Sequence, residues 1–354
     1  MSRMLITDAI KRMIDRESLT LPEAESVLDQ IMMGQCTDTQ IASFLTALRM
    51  KGETVDEVTG FARVMRNRAT VVAPQAAVRA DLTGTGRDAL IDTCGTGGDV
   101  SGSFNVSTAT ALVVAGAGVR VAKHGNRSAS SQCGSADVME ALGVKLDLSP
   151  RQIADCIDRV GIGFLHAPYL HESMKHVARA RKEMGIRTIF NMLGPLTNPA
   201  GAGAQLIGVY AAHLTLLFAE VLRELGTTRA VIVHGADGMD EITITAETLV
   251  TELRNGEISS YAVRPEDFGM RRATLADIKG GDATQNAEII REVLGGAPGP
   301  RRDIVVLNAA AALMASSRAK DIREGISMAR AVIDDRRGIE KLRQLIQFTN
   351  SAAF

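Results

Sequence analysis

From about residue 75 onward, short apolar runs of strand length alternate with helical stretches, and nothing else in the 354-residue chain limits its fold as tightly. Leu90-Ile91-Asp92, Val119-Arg120-Val121-Ala122, Gly163-Phe164-Leu165, Leu206-Ile207-Gly208-Val209-Tyr210 and Ala230-Val231-Ile232-Val233 read as strands. Helical runs at 107–117, 171–184 and 213–225 lie between them. Parallel neighbours need a crossover long enough to hold a helix, so this alternation predicts a mainly parallel sheet covered by helices. Leu249 to Val263, centred on Asn255-Gly256, reads as an added hairpin, and the C-terminal stretch returns to helix.

The first 70 residues or so have a different pattern, which is helical throughout. Thr20-x-x-Glu23, Thr37-x-x-Gln40 and Thr54-x-x-Glu57 are capping boxes, each opening an amphipathic run such as Ile41, Phe44, Leu45 and Leu48. Gly34 and Gly52 stand where helix stops are expected. Helices this short need partners, which predicts a small helical domain packed on a larger α/β domain.

A formal net charge of −1 provides no global basic field, so nucleic acid and anionic membranes are not expected partners. Any anion must be held locally, by a few cations and backbone N–H groups. Cys36, Cys94, Cys133 and Cys156 form no C-x-x-C pair, and their spacing suggests reduced thiols rather than zinc or a disulfide framework. The N-terminus meets a charge too early for a signal peptide, and no apolar run reaches membrane-spanning length. A cytoplasmic protein is expected.

Four segments carry chemistry. Asp92-Thr93-Cys94-Gly95-Thr96-Gly97-Gly98-Asp99 lies between a strand and a helix, where clustered glycines let backbone N–H groups converge on an anion. Thr83-Gly84-Thr85-Gly86 shares the G-T-G core but has no apolar strand before it and no helix close behind. Asn105-Val106-Ser107-Thr108 sets small polar side chains at a helix start, able to cap it or to ligate a metal or phosphate. Lys123-His124-Gly125-Asn126-Arg127-Ser128-Ala129-Ser130-Ser131 reads as a loop after a strand, joining two cations to several hydroxyls. His234-Gly235-Ala236-Asp237-Gly238-Met239-Asp240-Glu241 ends in adjacent carboxylates, hard oxygen donors that suit Mg²⁺. His166, His171 and His176 are five apart, which does not align them on one helix face, so they read as structural.

In order and context these segments resemble the anthranilate phosphoribosyltransferase family, over nearly the whole chain from Leu45-Arg49-Lys51-Gly52-Glu53-Thr54 to the C-terminal helices. Lys182-Glu183-Met184-Gly185-Ile186-Arg187-Thr188-Ile189-Phe190-Asn191-Met192-Leu193-Gly194-Pro195-Leu196-Thr197-Asn198-Pro199 looks like a family signature. The resemblance implies a homodimer whose subunits have a helical domain at 1–73, completed by helices around 168–190, and a catalytic α/β domain at 74–354 of the nucleoside phosphorylase/phosphoribosyltransferase type. It implies that Gly95, Gly98, Asp99, Ser103, Asn105, Val106, Ser107 and Thr108 touch phosphoribosyl pyrophosphate, and that Lys123, His124, Gly125, Asn126, Arg127, Ser128, Ala129, Ser130, Ser131 and Ser135 complete the phosphate site. Ser107, Asp240 and Glu241 would hold Mg²⁺, two ions per subunit, and Gly95, Asn126 and Arg181 would meet anthranilate. Val100 follows Asp99 where the family often has Gly, and Glu172 follows His171 where Pro is common.

The implied reaction transfers a phosphoribosyl group to the amine of anthranilate, in tryptophan biosynthesis. It needs no covalent intermediate, and no general base stands out. A pyrimidine nucleoside phosphorylase would share the architecture without needing Asp240-Glu241. A nucleic-acid-binding relative that had lost catalysis would need a basic surface, which the net charge of −1 speaks against.

Overall fold

The computed structural model describes residues 4–75, 90–99, 101–128 and 132–351. Thr83-Gly84-Thr85-Gly86, Val100, Ala129, Ser130 and Ser131 lie outside the described residues.

The chain opens with four helices, α1 (Ile6–Ile14), α2 (Leu21–Met32), α3 (Asp38–Lys51) and α4 (Val55–Arg68). All three capping boxes form. Thr37 Oγ1 accepts from the Gln40 N–H at 3.2 Å, and Thr54 N–H donates to Glu57 at 2.9 Å. Glu57 does more than cap. Fully buried, its carboxylate also accepts from the Leu19 N–H at 2.9 Å and from Lys51 Nζ at 2.9 Å, tying α3 and α4 to the link before α2.

The rest of the chain runs β1 (Ile91–Gly95), α5 (Val106–Gly116), β2 (Val121–Gly125), α6 (Ser135–Ala141), α7 (Pro150–Val160), β3 (Ile162–His166), α8 (Ala167–Leu170), α9 (Lys175–Met184), α10 (Phe190–Leu196), β4 (Ala204–Gly208), α11 (His213–Glu224), β5 (Arg229–Gly235), β6 (Thr248–Arg254), β7 (Glu257–Val263), α12 (Ala283–Leu294), α13 (Pro300–Ala315), α14 (Ile322–Asp334) and α15 (Arg337–Asn350). The seven strands form one sheet in the order β3-β2-β1-β4-β5-β6-β7. The first five are parallel, while β6 and β7 add the expected antiparallel hairpin. Asn255 and Gly256 turn it with φ of 53° and 86°, the left-handed pair that a two-residue hairpin turn needs.

Alternate residues of each strand serve different cores. Val231 and Val233 of β5 pack with α5 and α13–α15, whereas Ala230 and Ile232 join α11 and the four N-terminal helices. Val177 and Ala180 of α9 and Met192 and Leu193 of α10 belong to that second core, so these later helices pack with the first four. Leu342 and Leu345 of the last helix close the first core.

Strand ends depart from the sequence reading. β1 and β2 continue through Gly95 and Gly125, and β4 starts at Ala204 instead of Leu206. Polar and glycine residues read as loop because they interrupt the apolar run, yet both faces of these central strands are covered, so they continue to pair. Lys123, His124 and Gly125 therefore lie on a strand and not in a loop after it.

Candidate functional site

The chain builds the sheet outward from β1 through β2 to β3, then crosses to β4 and β5 on the other side. The carboxyl ends of β1 and β4 thus form the topological switch point, where open α/β sheets leave a ligand crevice. Gly95 and Gly208 end the two strands and face each other in register. The turn after β5 folds back over this crevice. A Cβ on Gly208 would overlap the Asp240 carbonyl, and one on Gly95 would collide with the Asp240 carboxylate. Glycine at both strand ends is what lets the acidic turn approach the sheet this closely.

Around that approach the four segments converge. Asp240 Oδ2 accepts from the Gly97 N–H at 2.9 Å. Asp99 accepts from Ser101 Oγ at 2.5 Å, and its carboxyl faces the Asp240 N–H. The Glu241 carboxylate faces the Ser107 N–H, in the first turn of α5. Lys123 reaches in from β2, 1% exposed, donating to the Thr93 carbonyl at 2.5 Å and to Ser107 Oγ at 3.4 Å.

The electrostatics follow from burial and crowding. Burial pushes the Asp240 carboxyl up to about 7, and the nearby Asp99 charge adds to the shift. Burial raises Glu241 well above the usual carboxylate range, with Asp240 adding and Lys123 opposing. Asp99 is raised as well, chiefly by burial. Lys123 and, beside Asp99, the Arg187 guanidinium do not balance three crowded carboxyls, so the crevice favours a further cation.

Other predicted residues have structural partners. Asp92 is buried within β1, accepting from the His124 N–H at 3.1 Å and from Asn198 Nδ2 at 2.8 Å. Asn198 also donates to the Ala122 carbonyl at 2.8 Å, so the Thr197-Asn198-Pro199 turn locks β1 to β2. Asn105 Nδ2 donates to the Cys133 carbonyl at 3.2 Å, while its oxygen accepts from Asn286 Nδ2 at 2.9 Å, bracing the start of α5 against α12. Val106 and Thr108 are buried, and Ser103 N–H donates to Ser101 Oγ at 3.2 Å. Arg127 is paired with Asp137 at 3.0 Å and Glu140 at 2.6 Å, both on α6. Gly125 lies so close to Ser135 that a Cβ would strike its hydroxyl, and Ser135 Oγ donates to the Asn126 carbonyl at 3.4 Å.

Arg181 stands apart from these, on α9. Its guanidinium is 5.3 Å from the Phe190 ring centre, and burial lowers its pKa. Among the described residues no carboxylate pairs with it. Arg179, two residues before, is exposed and bonded to Glu183 at 2.9 Å.

The histidines hold a surprise for the helix-face argument. His171 packs against His124, ring centres 5.2 Å apart, because the turn after β3 brings it there rather than any helical spacing. Both are buried, and among the described residues the Nε2 atoms of both have no hydrogen-bond partner.

Residues 7–69 match the helical bundle domain of a glycosyl transferase family, and residues 87–338 match the a/b domain of a glycosyl transferase family. The chain is 52% identical to the anthranilate phosphoribosyltransferase of Acetivibrio thermocellus, over 98% of its own length and 97% of that protein's. It is 53% identical to that of Symbiobacterium thermophilum, covering 95% and 96%. The chain belongs to the anthranilate phosphoribosyltransferase family. It is accordingly an enzyme, a glycosyltransferase acting on a pentosyl group.

Solved structures of the family share the whole fold. That of the Thermus thermophilus enzyme aligns with a TM-score of 0.89 and 40% identity, covering 97% of this chain and all (100%) of that one. The Saccharomyces cerevisiae enzyme, solved in complex with phosphoribosyl pyrophosphate and magnesium, aligns with a TM-score of 0.87, 26% identity and 98% coverage of both chains. Three residues beside the crevice escaped the motif reading. Arg187 and Asn308 sit in a signature segment and a long helix with no local sign of chemistry, and Tyr210 looks from sequence like the tail of a strand that in fact ends at Gly208.

Proposed function

We propose that this chain transfers the 5-phosphoribosyl group of phosphoribosyl pyrophosphate to the amine of anthranilate, giving N-(5-phosphoribosyl)anthranilate and pyrophosphate in the second step from chorismate to tryptophan. The observation that carries the reading is the packing of Asp240 against Gly95 and Gly208, with Glu241 at Ser107, over the switch point. Every donor gathered there is a hard oxygen, and the crowded carboxyls are short of positive charge. Both properties fit Mg²⁺, which takes one or two carboxylates plus substrate phosphates. Among the described residues no three His, Cys, Asp or Glu side chains form a ready metal cluster. Ser107, Asp240 and Glu241 would hold the metal, and two ions per subunit fit the spread of carboxyls from Asp99 to Glu241. When bound, Mg²⁺ supplies charge neutralisation for a pyrophosphate leaving group.

The remaining work falls to the protein. The glycines of the Gly95–Asp99 turn let the backbone approach the pyrophosphate closely, and the N-terminal dipole of α5 favours the charge that develops as it leaves. Gly98, Ser103, Asn105, Val106 and Thr108 line this side, and Lys123, His124, Gly125, Asn126, Arg127, Ser128 and Ser135, with Ala129, Ser130 and Ser131, complete the phosphate side. Gly95, Asn126 and Arg181 orient anthranilate, whose free amine is already a nucleophile and needs chiefly to be placed against the ribose carbon. The exposed apolar side chains Leu5, Ile14, Met33 and Met50 of the first three helices and their ends support assembly as a homodimer. No described helix is long and apolar enough to cross a membrane, and no disulfide joins the four cysteines, which supports a cytoplasmic setting.

The test is direct. Purified protein with Mg²⁺, phosphoribosyl pyrophosphate and anthranilate should consume anthranilate fluorescence, and should not do so when either phosphoribosyl pyrophosphate or the metal is withheld. Persistent fluorescence in the complete mixture would refute the reading.

A further inference from the structure

The crevice has a second cation, supplied from the helical side. Helix α9 ends at Gly185, which turns the chain with φ 62°, and the short link to α10 carries Arg187 outward. The Arg187 guanidinium donates through Nη2 to the Gly98 carbonyl and lies 4.8 Å from the Tyr210 ring centre. Tyr210 is itself fixed to the same turn, since its N–H donates to Thr96 Oγ1 at 3.1 Å, while the Thr96 N–H donates to the Gly208 carbonyl at 2.9 Å. The arginine therefore spans two points of one small unit: the glycine turn it bonds and the ring anchored to that turn. Its charge also reaches the Asp99 carboxyl.

This matters because the turn has no rigidity of its own. Gly97 and Gly98 follow each other with φ of 66° and 77°, and glycine enters and leaves such conformations at little cost. The Gly97 N–H is held by Asp240 from below, and the Gly98 carbonyl is held by Arg187 from outside. With both ends held, the backbone between them keeps one conformation before any ligand arrives.

We propose that Arg187, seated on Tyr210, is a positioning residue that pre-organises the Gly97-Gly98-Asp99 turn for phosphoribosyl pyrophosphate; this rests on the substrate assignment above. An arginine suits the task because its planar fork can bond a carbonyl and stack on a ring at once, which a lysine cannot do. Being exposed, it contributes little to global stability, so its loss should be felt at the turn.

Calorimetric titration of phosphoribosyl pyrophosphate in the presence of Mg²⁺, without anthranilate, tests this. Wild-type protein must bind first; no binding there defeats the substrate assignment and not this inference. Arg187→Ala should weaken binding by about tenfold, as loss of a charge-assisted hydrogen bond does, and Arg187→Lys should not restore it. Tyr210→Leu should weaken it by about threefold. The double variant should be no weaker than Arg187→Ala alone, because the ring acts only through the arginine. Melting temperatures and the anthranilate KM should stay near wild type. Unchanged binding in Arg187→Ala overturns the proposal. So does a Tyr210→Leu effect that multiplies fully with the arginine's, which would mean that the ring acts independently of Arg187.

Discussion

The side chain of Asn308, fully buried in α13, grips both backbone groups of Ile242: its Oδ1 accepts from the Ile242 N–H at 2.9 Å and its Nδ2 donates to the Ile242 carbonyl at 2.8 Å. Nδ2 also donates to the Ile304 carbonyl at 2.9 Å within its own helix. Ile242 directly follows Glu241, so a helix in the centre of the larger core determines where the acidic turn leaves the sheet. A charged pair at the tip of an unsupported turn would drift with its neighbours' repulsion. Here the backbone next to it is clamped.

Asn308→Leu should therefore have two consequences. It leaves a buried N–H and C=O unpaired, costing about 2–4 kcal/mol of stability by denaturant titration. It should also raise the Mg²⁺ concentration needed for half-maximal activity. A leucine variant with the wild-type Mg²⁺ requirement would show that the clamp serves stability alone.

The second expectation concerns the acidic pair itself. From sequence, Asp240 and Glu241 look like exposed loop carboxylates; in the fold they are half-buried, close to Asp99 and raised in pKa. Replacing both by alanine removes mutual repulsion, so the metal-free protein should melt no lower than wild type at neutral pH. Turnover should nevertheless fall by more than about a hundredfold, the scale of losing a few kcal/mol of metal-assisted charge stabilisation. Unaltered turnover across a Mg²⁺ series would make the pair a surface feature.

How far the sequence could be read depended on whether the information was local. Capping boxes at Thr20, Thr37 and Thr54, strand–helix alternation and the Asn255-Gly256 turn are short-range signals, and each forms as read. Glycine clusters and adjacent carboxylates likewise announce themselves within a few residues. What escaped is long-range. Lys123 reads as a loop cation because nothing local says that its strand runs on between two others and buries the ammonium at 1% exposure. Asp92 reads as part of a phosphate loop, yet its carboxylate is occupied by His124 and by Asn198, 106 positions later. Asn308 and Ile242 are 66 residues apart, and neither carries a signature. Periodicity arguments also cannot foresee His171 against His124, since no single helix carries both.

That histidine pair predicts a pH dependence. Burial pushes His124 down to about 3 and His171 down to about 4, and the neighbouring His171 adds to the effect on His124. In the unfolded chain both take up protons near pH 6.5. A depressed imidazole pKa stabilises the fold fully above that value, and the contribution is lost as pH falls from about 6.5 towards about 4. For His171 the full loss is on the order of 3 kcal/mol. His171→Phe, which keeps a ring in the same space, should flatten the decline in stability measured by urea denaturation between pH 6.5 and 4. An unchanged slope would mean that His171 is not a group that titrates on unfolding.

The last expectation concerns how the acceptor is oriented. Anthranilate carries a carboxylate beside its amine, and a cation that fixes the carboxylate leaves the amine free to face the ribose carbon. Two arginines on α9 are close enough in sequence to be confused, and the fold separates them. Arg179 is exposed, at 76% of its side-chain surface, and already bonded to Glu183 at 2.9 Å and near Asp38 at 3.5 Å. Arg181 is half-buried, rests on the Phe190 ring and has no carboxylate partner among the described residues. A desolvated guanidinium with its fork unoccupied is the one placed to take a carboxylate bidentately. Removing one member of such a pair costs about 2–5 kcal/mol, which is roughly 30-fold or more in affinity, whereas a solvated surface arginine contributes under about 1 kcal/mol. Arg181→Ala should accordingly raise the anthranilate KM by well over about tenfold with little change for phosphoribosyl pyrophosphate, and Arg179→Ala should leave both nearly as they are. Steady-state kinetics on the two variants decides between them, because a large anthranilate effect from Arg179→Ala with a silent Arg181→Ala would assign the acceptor contact to the other arginine.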